Sequence, residues 1–220
     1  MTAGTARVIA IDGPAAAGKG TLARRLAEHL GFAYLDTGLL YRAVAAKLLA
    51  AGAGIEPETA EAEALRLAPA DLDRGDLRGD DVAGVASQVA AMPEVRAALL
   101  AFQRAFAQRP PEGRNGAVLD GRDIATVVCP DADCKLFVTA SLEVRAERRL
   151  KELRERGADA IPSRVLREMQ ERDARDSQRS VAPLVPARDA VVIDTSTLDA
   201  EHAFAAALEI VGARMPDAHA

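Results

Sequence analysis

Tryptophan is absent from this 220-residue chain, and aromatic residues make up only 3% of it, so its core must be filled by alanine, leucine and valine rather than by stacked rings. Cysteine occurs only as Cys129 and Cys134, which flank a turn, and histidine only as His29, His202 and His219, on distant segments. That is too little for a disulfide framework or a zinc cage. Two reduced, small apolar side chains in a cytoplasmic protein are expected instead. No apolar run reaches the ~18 residues of a membrane span, and the first residues lack a signal-peptide pattern, so no membrane partner is expected. Positive charge is outnumbered, with 28 Lys and Arg against 33 Asp and Glu and a net charge of −5. A polymeric nucleic acid or an anionic membrane would call for the opposite balance. Lysine itself is scarce, four residues against 24 arginines, which makes any lysine in a special place conspicuous.

One such place is Gly13-Pro14-Ala15-Ala16-Ala17-Gly18-Lys19-Gly20-Thr21. The β-branched run Arg7-Val8-Ile9-Ala10-Ile11 before it reads as a buried strand. Thr21 to Leu30 after it is apolar at helical spacing. Glycines between a strand and a helix are the setting of a phosphate-binding loop. Gly13 and Gly18 permit backbone angles that turn successive N–H groups inward, and the helix start adds its unpaired N–H groups and positive dipole end. Lys19 adds a mobile charge for β- and γ-phosphates. The usual pattern places Ser or Thr straight after the lysine; here Gly20 stands there and the hydroxyl follows on Thr21, which puts direct coordination of magnesium by the loop in doubt.

Along the chain, Gly31 closes the first helix and Phe32 to Leu35 reads as a second strand. Thr37 is placed to cap a helix from Leu39 to Ala51, and a further helix is expected from Pro57 to Leu67. Pro69 to Asp81 is acidic and punctuated by glycine. It fails the calcium-loop template, because Asp76 stands where glycine belongs and Val82 where glutamate belongs, and it reads as a solvated connector. Helices are expected from Val82 to Met92 and from Pro93 to Phe106, and a loop from Arg109 to Gly116. Strands are expected at Ala117 to Asp120, Cys134 to Thr139 and Ala190 to Asp194. Long helices should start at Ser141, break between Gly157 and Pro162 and run to about Arg179. A last helix spans Leu198 to Arg214, with a tail to Ala220 expected to fray. Strands alternating with helices predict an α/β fold, a parallel sheet with helices on both faces, whose ligands bind beyond the carboxyl ends of the strands. Asp36, Asp120 and the glycine loop all lie at such ends.

From Arg145 to Arg179 the chain carries ten arginines and one lysine against eight acidic residues. Most of these charges fit exposed helices laced by i,i+4 ion pairs. That pattern does not explain the cluster Arg172, Arg175, Asp176 and Arg179 just before Val181-Ala182-Pro183-Leu184. The glycine and proline between the two helices offer a hinge, so Arg148, Arg149 or Arg154 is expected in a lid that closes over phosphates.

These stretches, with Leu35-Asp36-Thr37-Gly38, Tyr41-Arg42, Ala86-Ser87-Gln88-Val89-Ala90, Val95-Arg96, Asp120-Gly121-Arg122-Asp123 and Glu171-Arg172-Asp173, resemble those of the bacterial cytidylate kinase family, in the family's order and across nearly the whole chain. The first motif is shared by many kinases; the later ones are more specific. The resemblance implies a single P-loop kinase domain over 1–220, with an acceptor-binding helical insertion at about 39–108 and a lid at about 145–180. It implies transfer of the γ-phosphoryl group of ATP to CMP or dCMP with magnesium, by a monomer. Lys19, Arg122, Arg175 and Arg179 would be catalytic, with Arg42, Arg122 and Arg179 facing the acceptor phosphate or base. Thr37, Arg96 and Asp123 would help read cytosine, Ser87, Arg172 and Asp176 would meet the sugar, and Tyr41 would join the acceptor set. Asp120 would orient magnesium-bound water. Thr37 stands where many members have serine, and the stretch Pro69 to Asp81 is shorter than the insertion that carries a small β-sheet in several members. That subdomain is expected to be reduced or missing here.

Phosphoryl transfer asks for positioning and charge more than covalent work. The acceptor phosphate, with a second pKa near ~6, is already anionic at neutral pH, so no strong general base is required. Two alternatives stay open at this point: a P-loop kinase for another small acceptor such as UMP, AMP or shikimate, and a non-catalytic ATP-sensing protein.

Overall fold

Five strands form one sheet in the order β2-β3-β1-β4-β5. They are β1 (Arg7–Asp12), β2 (Ala33–Asp36), β3 (Gly116–Gly121), β4 (Cys134–Thr139) and β5 (Val191–Asp194). The computed structural model describes residues 6–216. The expected fraying of the tail therefore lies mostly outside the described residues. β1 is flanked in parallel by β3, with Ile11 opposite Asp120, and by β4, with Ile11 opposite Leu136; β5 joins β4 in parallel. The continuous apolar runs of the inner strands follow from this placement: every residue of β3 is buried, whereas edge strand β5 alternates. Among the described residues eight α-helices accompany them: α1 (Lys19–Leu30), α2 (Thr37–Ala50), α3 (Pro57–Leu65), α4 (Asp80–Val89), α5 (Pro93–Gln108), α6 (Leu142–Glu155), α7 (Pro162–Ser177) and α8 (Ala200–Arg214). No single helix among the described residues is long and apolar enough to cross a membrane.

The chain divides into two compact units, one made of the chain up to Leu35 and from Ala107 onward, the other of Asp36–Phe106. In the first, Ile9, Ile11, Val118, Leu136 and Val138 of the sheet pack with Leu22 and Leu26 of α1 and Ala207 and Val211 of α8. As composition requires, Phe32 is the one aromatic fully inside this cluster. Gly31 ends α1 in the left-handed region at φ 65°, its N–H turned back onto the carbonyls of Ala27 and Glu28. Arg25 forks onto Glu201 at 2.8 and 2.9 Å and lies over the Phe204 ring, tying α1 to α8. Lys135 pairs with Asp189 at 2.8 Å. Neither cysteine is in a disulfide, and burial pushes the Cys134 thiol up to about 11, which keeps it an unreactive apolar filler.

The second unit is helical, with no strand within it beyond the end of β2 among the described residues. Leu40, Val44 and Leu48 of α2 meet Val82, Val85 and Val89 of α4 and Val95 and Leu99 of α5. Two expectations fail here. The cap of α2 is Asp36, whose carboxylate accepts the Gly38 N–H at 3.0 Å, while Thr37 is already helical. A carboxylate answers the positive dipole end as well as the bare N–H group, so the acid wins over the hydroxyl beside it. The stretch from Pro69 to Asp81 is not a plain solvated connector. It forms 3-10 turns at Pro69–Leu72 and Gly75–Arg78 and leads into α4, and Leu77 is buried in the helical core. Lys47 anchors it, donating to the Arg66 carbonyl at 3.2 Å and to Asp71 at 3.3 Å.

Candidate active site

Between β1 and α1 the chain makes the expected loop. Gly13 has φ 152°, and a Cβ there would stand 1.9 Å from the Val138 carbonyl oxygen, so no side chain fits. Ala16, at φ 59°, occupies the left-handed region that alanine avoids, and Gly18 follows at φ 89°. Backbone reversals of this kind turn successive N–H groups of a loop to one side, the geometry of an anion cradle, and α1 begins directly after them. Gly18 is the N-cap of α1 and makes no side-chain cap hydrogen bond. Lys19 starts the helix and Thr21 is exposed in its first turn. Pro14 and Ala17 are buried and Ala15 and Ala16 half-buried beneath the loop surface.

Gly20 explains the departure from the usual loop pattern. A Cβ at this position would lie 3.2 Å from Asp120 Oδ2, so glycine leaves room beside a carboxylate that is only 2% exposed at the end of β3. Among the described residues no group of three or more His, Cys, Asp and Glu side chains forms a metal cage. One acidic strand end beside a phosphate loop suits a divalent cation held mainly by phosphate oxygens and water, since magnesium keeps several waters and takes one or two carboxylates.

Asp12, the last residue of β1, is a site residue that the sequence reading did not single out. Its buried carboxylate accepts the N–H groups of Ile124 and Ala125, both at 2.8 Å. It thereby holds a π-helical turn, Ile124–Val128, that the sequence did not announce. Arg122 and Asp123 project just before that turn, so the phosphate loop and this segment share one anchor. Burial, only partly offset by the two N–H groups, pushes the Asp12 carboxyl up to about 6.

At the end of α7 the arginine cluster closes on the same segment. Asp176, 2% exposed, accepts from Arg122 Nε at 2.9 Å and pairs with Arg179 through its other oxygen. Burial alone would raise this carboxyl, but the guanidinium groups of Arg122, Arg179 and Arg172 outweigh it and hold the pKa below the usual carboxylate value. The structure thus gathers Arg122, Arg172, Asp176 and Arg179. Arg175 sits one residue before Asp176 on α7 and is exposed, and Asp123 is buried beside Arg122 in the chain. Of the proposed lid arginines, Arg148 is fixed to Thr195, donating to its hydroxyl at 3.0 Å and its carbonyl at 2.6 Å. Arg149 pairs with Glu152 at 3.0 Å. Arg154 lines a shallow surface recess of about 400 Å³ with Glu147, Leu150, Lys151 and Glu155. Lys151 makes only a loose pair with Glu155 at 3.9 Å and is 79% exposed.

The second unit brings together several of the other expected residues. The Arg96 guanidinium stands 5.6 Å from the Tyr41 ring centroid, and its Nη1 donates to the Ala90 carbonyl at 3.0 Å. Arg42 donates to the Leu77 carbonyl at 2.9 Å, so the 3-10 turn misread as solvated orients this side chain. Thr37 and Ser87 are buried, 3% and 5% exposed, at the start of α2 and within α4. Thr37 and Tyr41 lie one turn apart on the same face of α2.

A glycine loop that aims a helix amino end at a phosphate, with guanidinium groups collected beyond the carboxyl ends of the same parallel strands, defines a P-loop phosphotransferase. Within that class the chain belongs to the cytidylate kinase family, whose sequence profile, described as cytidylate kinase, matches residues 9–213. It is 66% identical over 210 residues to a cytidylate kinase of Paramagnetospirillum magneticum, covering 94% of this chain and 98% of that one. It is 60% identical over 205 residues to cytidylate kinases of Rhodospirillum rubrum and Methylocella silvestris, with 93% of this chain covered in each and 96% and 93% of the relatives. Among solved structures, an uncharacterized protein from Eubacterium ventriosum matches with a TM-score of 0.53 at 15% identity, over 92% of this chain and 96% of that one, a likeness of fold alone.

Proposed function

We infer that this enzyme transfers the γ-phosphoryl group of ATP to CMP or dCMP, giving ADP and CDP or dCDP. The observation that carries this reading is the juxtaposition of Asp120 with Gly20 of the phosphate loop, next along the chain to Arg122 and its partners Asp176 and Arg179. The loop Gly13 to Thr21 takes the donor phosphates, its inward N–H groups binding non-bridging oxygens and Lys19 following the charge as it spreads onto the transferred group. Arg122, Arg175 and Arg179 grip the two phosphates to be joined; a planar fork holds a phosphate bidentately, which lysine cannot do. Because the acceptor phosphate is already anionic, the residues have only to bring it into line and exclude water.

Asp120 would hold a magnesium ion through its water shell, with Thr21 as a weaker candidate; bound there, the ion would neutralise charge on the donor phosphates. Asp123, Arg96 and Thr37 are assigned to the cytosine edge, Ser87, Arg172 and Asp176 to the sugar, and Arg42 and Tyr41 to the rest of the acceptor. The stretch of about 39–108 acts as an acceptor-binding insertion and that of about 145–180 as a lid. The chain works as a cytoplasmic monomer.

A coupled assay of ADP release across CMP, dCMP, UMP, AMP and shikimate tests the reading. CMP and dCMP should be turned over far faster than the rest. A preference for UMP, AMP or shikimate would replace the acceptor, and ATP binding without ADP release on any acceptor would leave a sensor.

A further inference from the structure

A loop that turns its N–H groups inward must turn carbonyls outward, and those carbonyls need donors of their own. In this chain two donors come from outside the loop. Thr195, just after β5, donates from Oγ1 to the Ala17 carbonyl at 3.0 Å. Arg145, one turn into α6, points Nη1 at the Ala15 carbonyl at 3.4 Å. Arg145 is only 6% exposed, and its remaining nitrogens go elsewhere: Nε donates to the Ala140 carbonyl at 2.9 Å and Nη2 to Asp173 Oδ2 at 2.7 Å. One guanidinium therefore touches the phosphate loop, the end of β4 and α7. Apolar packing repeats the connection, since Ala16 of the loop lies against the small core of Leu153, Val165 and Met169 between α6 and α7.

The manner of this pairing is informative. An arginine and a carboxylate left to themselves fork onto each other with two parallel bonds. Here the fork is split, and Asp173 Oδ1 is buried without a hydrogen-bond partner among the described residues. A bare buried acceptor costs stability, so the arrangement is poor as a staple and good as a spacer. Asp173 also stands one turn before Asp176 and directly after Arg172, on the helix that carries the arginine cluster.

We propose that Arg145 and Asp173 are positioning residues that lock the outward carbonyl of the phosphate loop to the helix bearing Arg172, Arg175 and Arg179, so that loop and arginines reach the transfer geometry together. This rests on the phosphoryl-transfer reading given above. Neither residue touches substrate. Each acts through what it holds, Arg145 through Ala15 next to the strained Ala16, and Asp173 through its place on α7.

The test uses the full chain with Asp173→Asn, Arg145→Lys and both together. Asp173→Asn should lower kcat with CMP by about tenfold, the scale of a small misplacement of reacting groups, while KM for CMP moves less than about threefold. Its thermal midpoint should fall by several degrees, because the amide keeps the packing but leaves the buried Arg145 guanidinium without its carboxylate partner, so kcat is compared well below that midpoint. Arg145→Lys, which keeps the charge but cannot reach three partners, should lose a similar factor, and the double variant should be no worse than the poorer single one. Hydrogen exchange gives a readout independent of turnover: the amides of Gly13 and of residues 15–18 should exchange faster in Asp173→Asn, although the substitution is on α7. Losses that multiply in the double variant would overturn the proposal. So would kcat within twofold of the wild type together with unchanged exchange in the loop. Failure of the wild type to phosphorylate CMP would instead strike the functional reading, leaving the exchange comparison to decide the coupling.

Discussion

Arg122 donates to Asp176 at 2.9 Å across 54 positions of sequence, joining the turn after β3 to the end of α7. One carboxylate shared by Arg122 and Arg179, with Arg172 near, leaves the cluster net positive while fixing two forks in direction. A phosphate meeting it encounters guanidinium groups already oriented, which lowers the ordering cost of binding.

Lys19 is the first residue whose loss should be felt. If its charge follows the transferred group as proposed, it counts for more in transfer than in ground-state binding, and Lys19→Ala should reduce kcat by a factor on the order of a hundred or more. The thermal midpoint should stay close to that of the wild type, since Lys19 packs no core. Steady-state ADP release and a melting curve check both. Near-normal turnover would show that the loop is not the phosphate site.

The proposed role of Asp123 at the cytosine edge can be tested through the choice of base. Cytosine offers an N4 donor beside the N3 and O2 acceptors, whereas uracil reverses the first two. A carboxylate opposite N4 would meet oxygen lone pairs in UMP, a mismatch worth roughly 1–3 kcal/mol, or about ten- to a hundredfold. Asp123→Ala and Asp123→Asn should both depress kcat/KM for CMP more than for UMP and narrow their ratio. If both substrates lose activity equally, Asp123 serves only to hold its neighbours.

Whether the α6–α7 region closes as the proposed lid can be tested by limited proteolysis. Gly157 has φ 80° between the two helices, and 154–157 and 161–164 are exposed. A bisubstrate analogue should suppress cleavage between residues 150 and 162 if this segment closes over both phosphates. Equal cleavage with and without the analogue would argue for a static pair of helices.

Asp12 gives a pH signature with a definite sign. In the folded chain its carboxyl holds a proton up to about pH 6, and in the unfolded chain only to about 3.8. Between these values the folded state binds the extra proton, so this group's contribution to stability falls as pH rises. Asp12→Asn cannot titrate and lacks that slope. The thermal midpoint of the wild type relative to Asp12→Asn should therefore decline from about pH 4 to about pH 7. A constant difference across that range would mean that the carboxyl titrates normally.

Much of this architecture could be read from local pattern: the loop between strand and helix, the strand ends carrying Asp36 and Asp120, and the break between α6 and α7. What escaped was non-local or too short to have a period. Asp12 looks like the tail of an apolar strand, and nothing in its neighbourhood says that it reaches Ile124, 112 positions away. Leu77 and Leu72 are isolated leucines among charges with no helical or strand period, so the burial of Leu77 had no sequence signature. Arg145 could not be told from the other nine arginines of its segment, because exposure rather than composition distinguishes it. Thr37 was preferred to Asp36 as a cap although both residue types cap helices, and only the observed Gly38 N–H contact separates them.

The scarcity of lysine has a practical side. Lys47 is held by Asp71 and the Arg66 carbonyl, Lys135 by Asp189, and Lys19 sits half-buried in the phosphate loop. Lys151, on the outer face of α6, is by contrast open to solvent. Among the lysines, an amine-directed fluorophore should attach chiefly there. The molecule thus offers an almost ready-made labelling handle on α6, one that reports on that helix without any engineered cysteine.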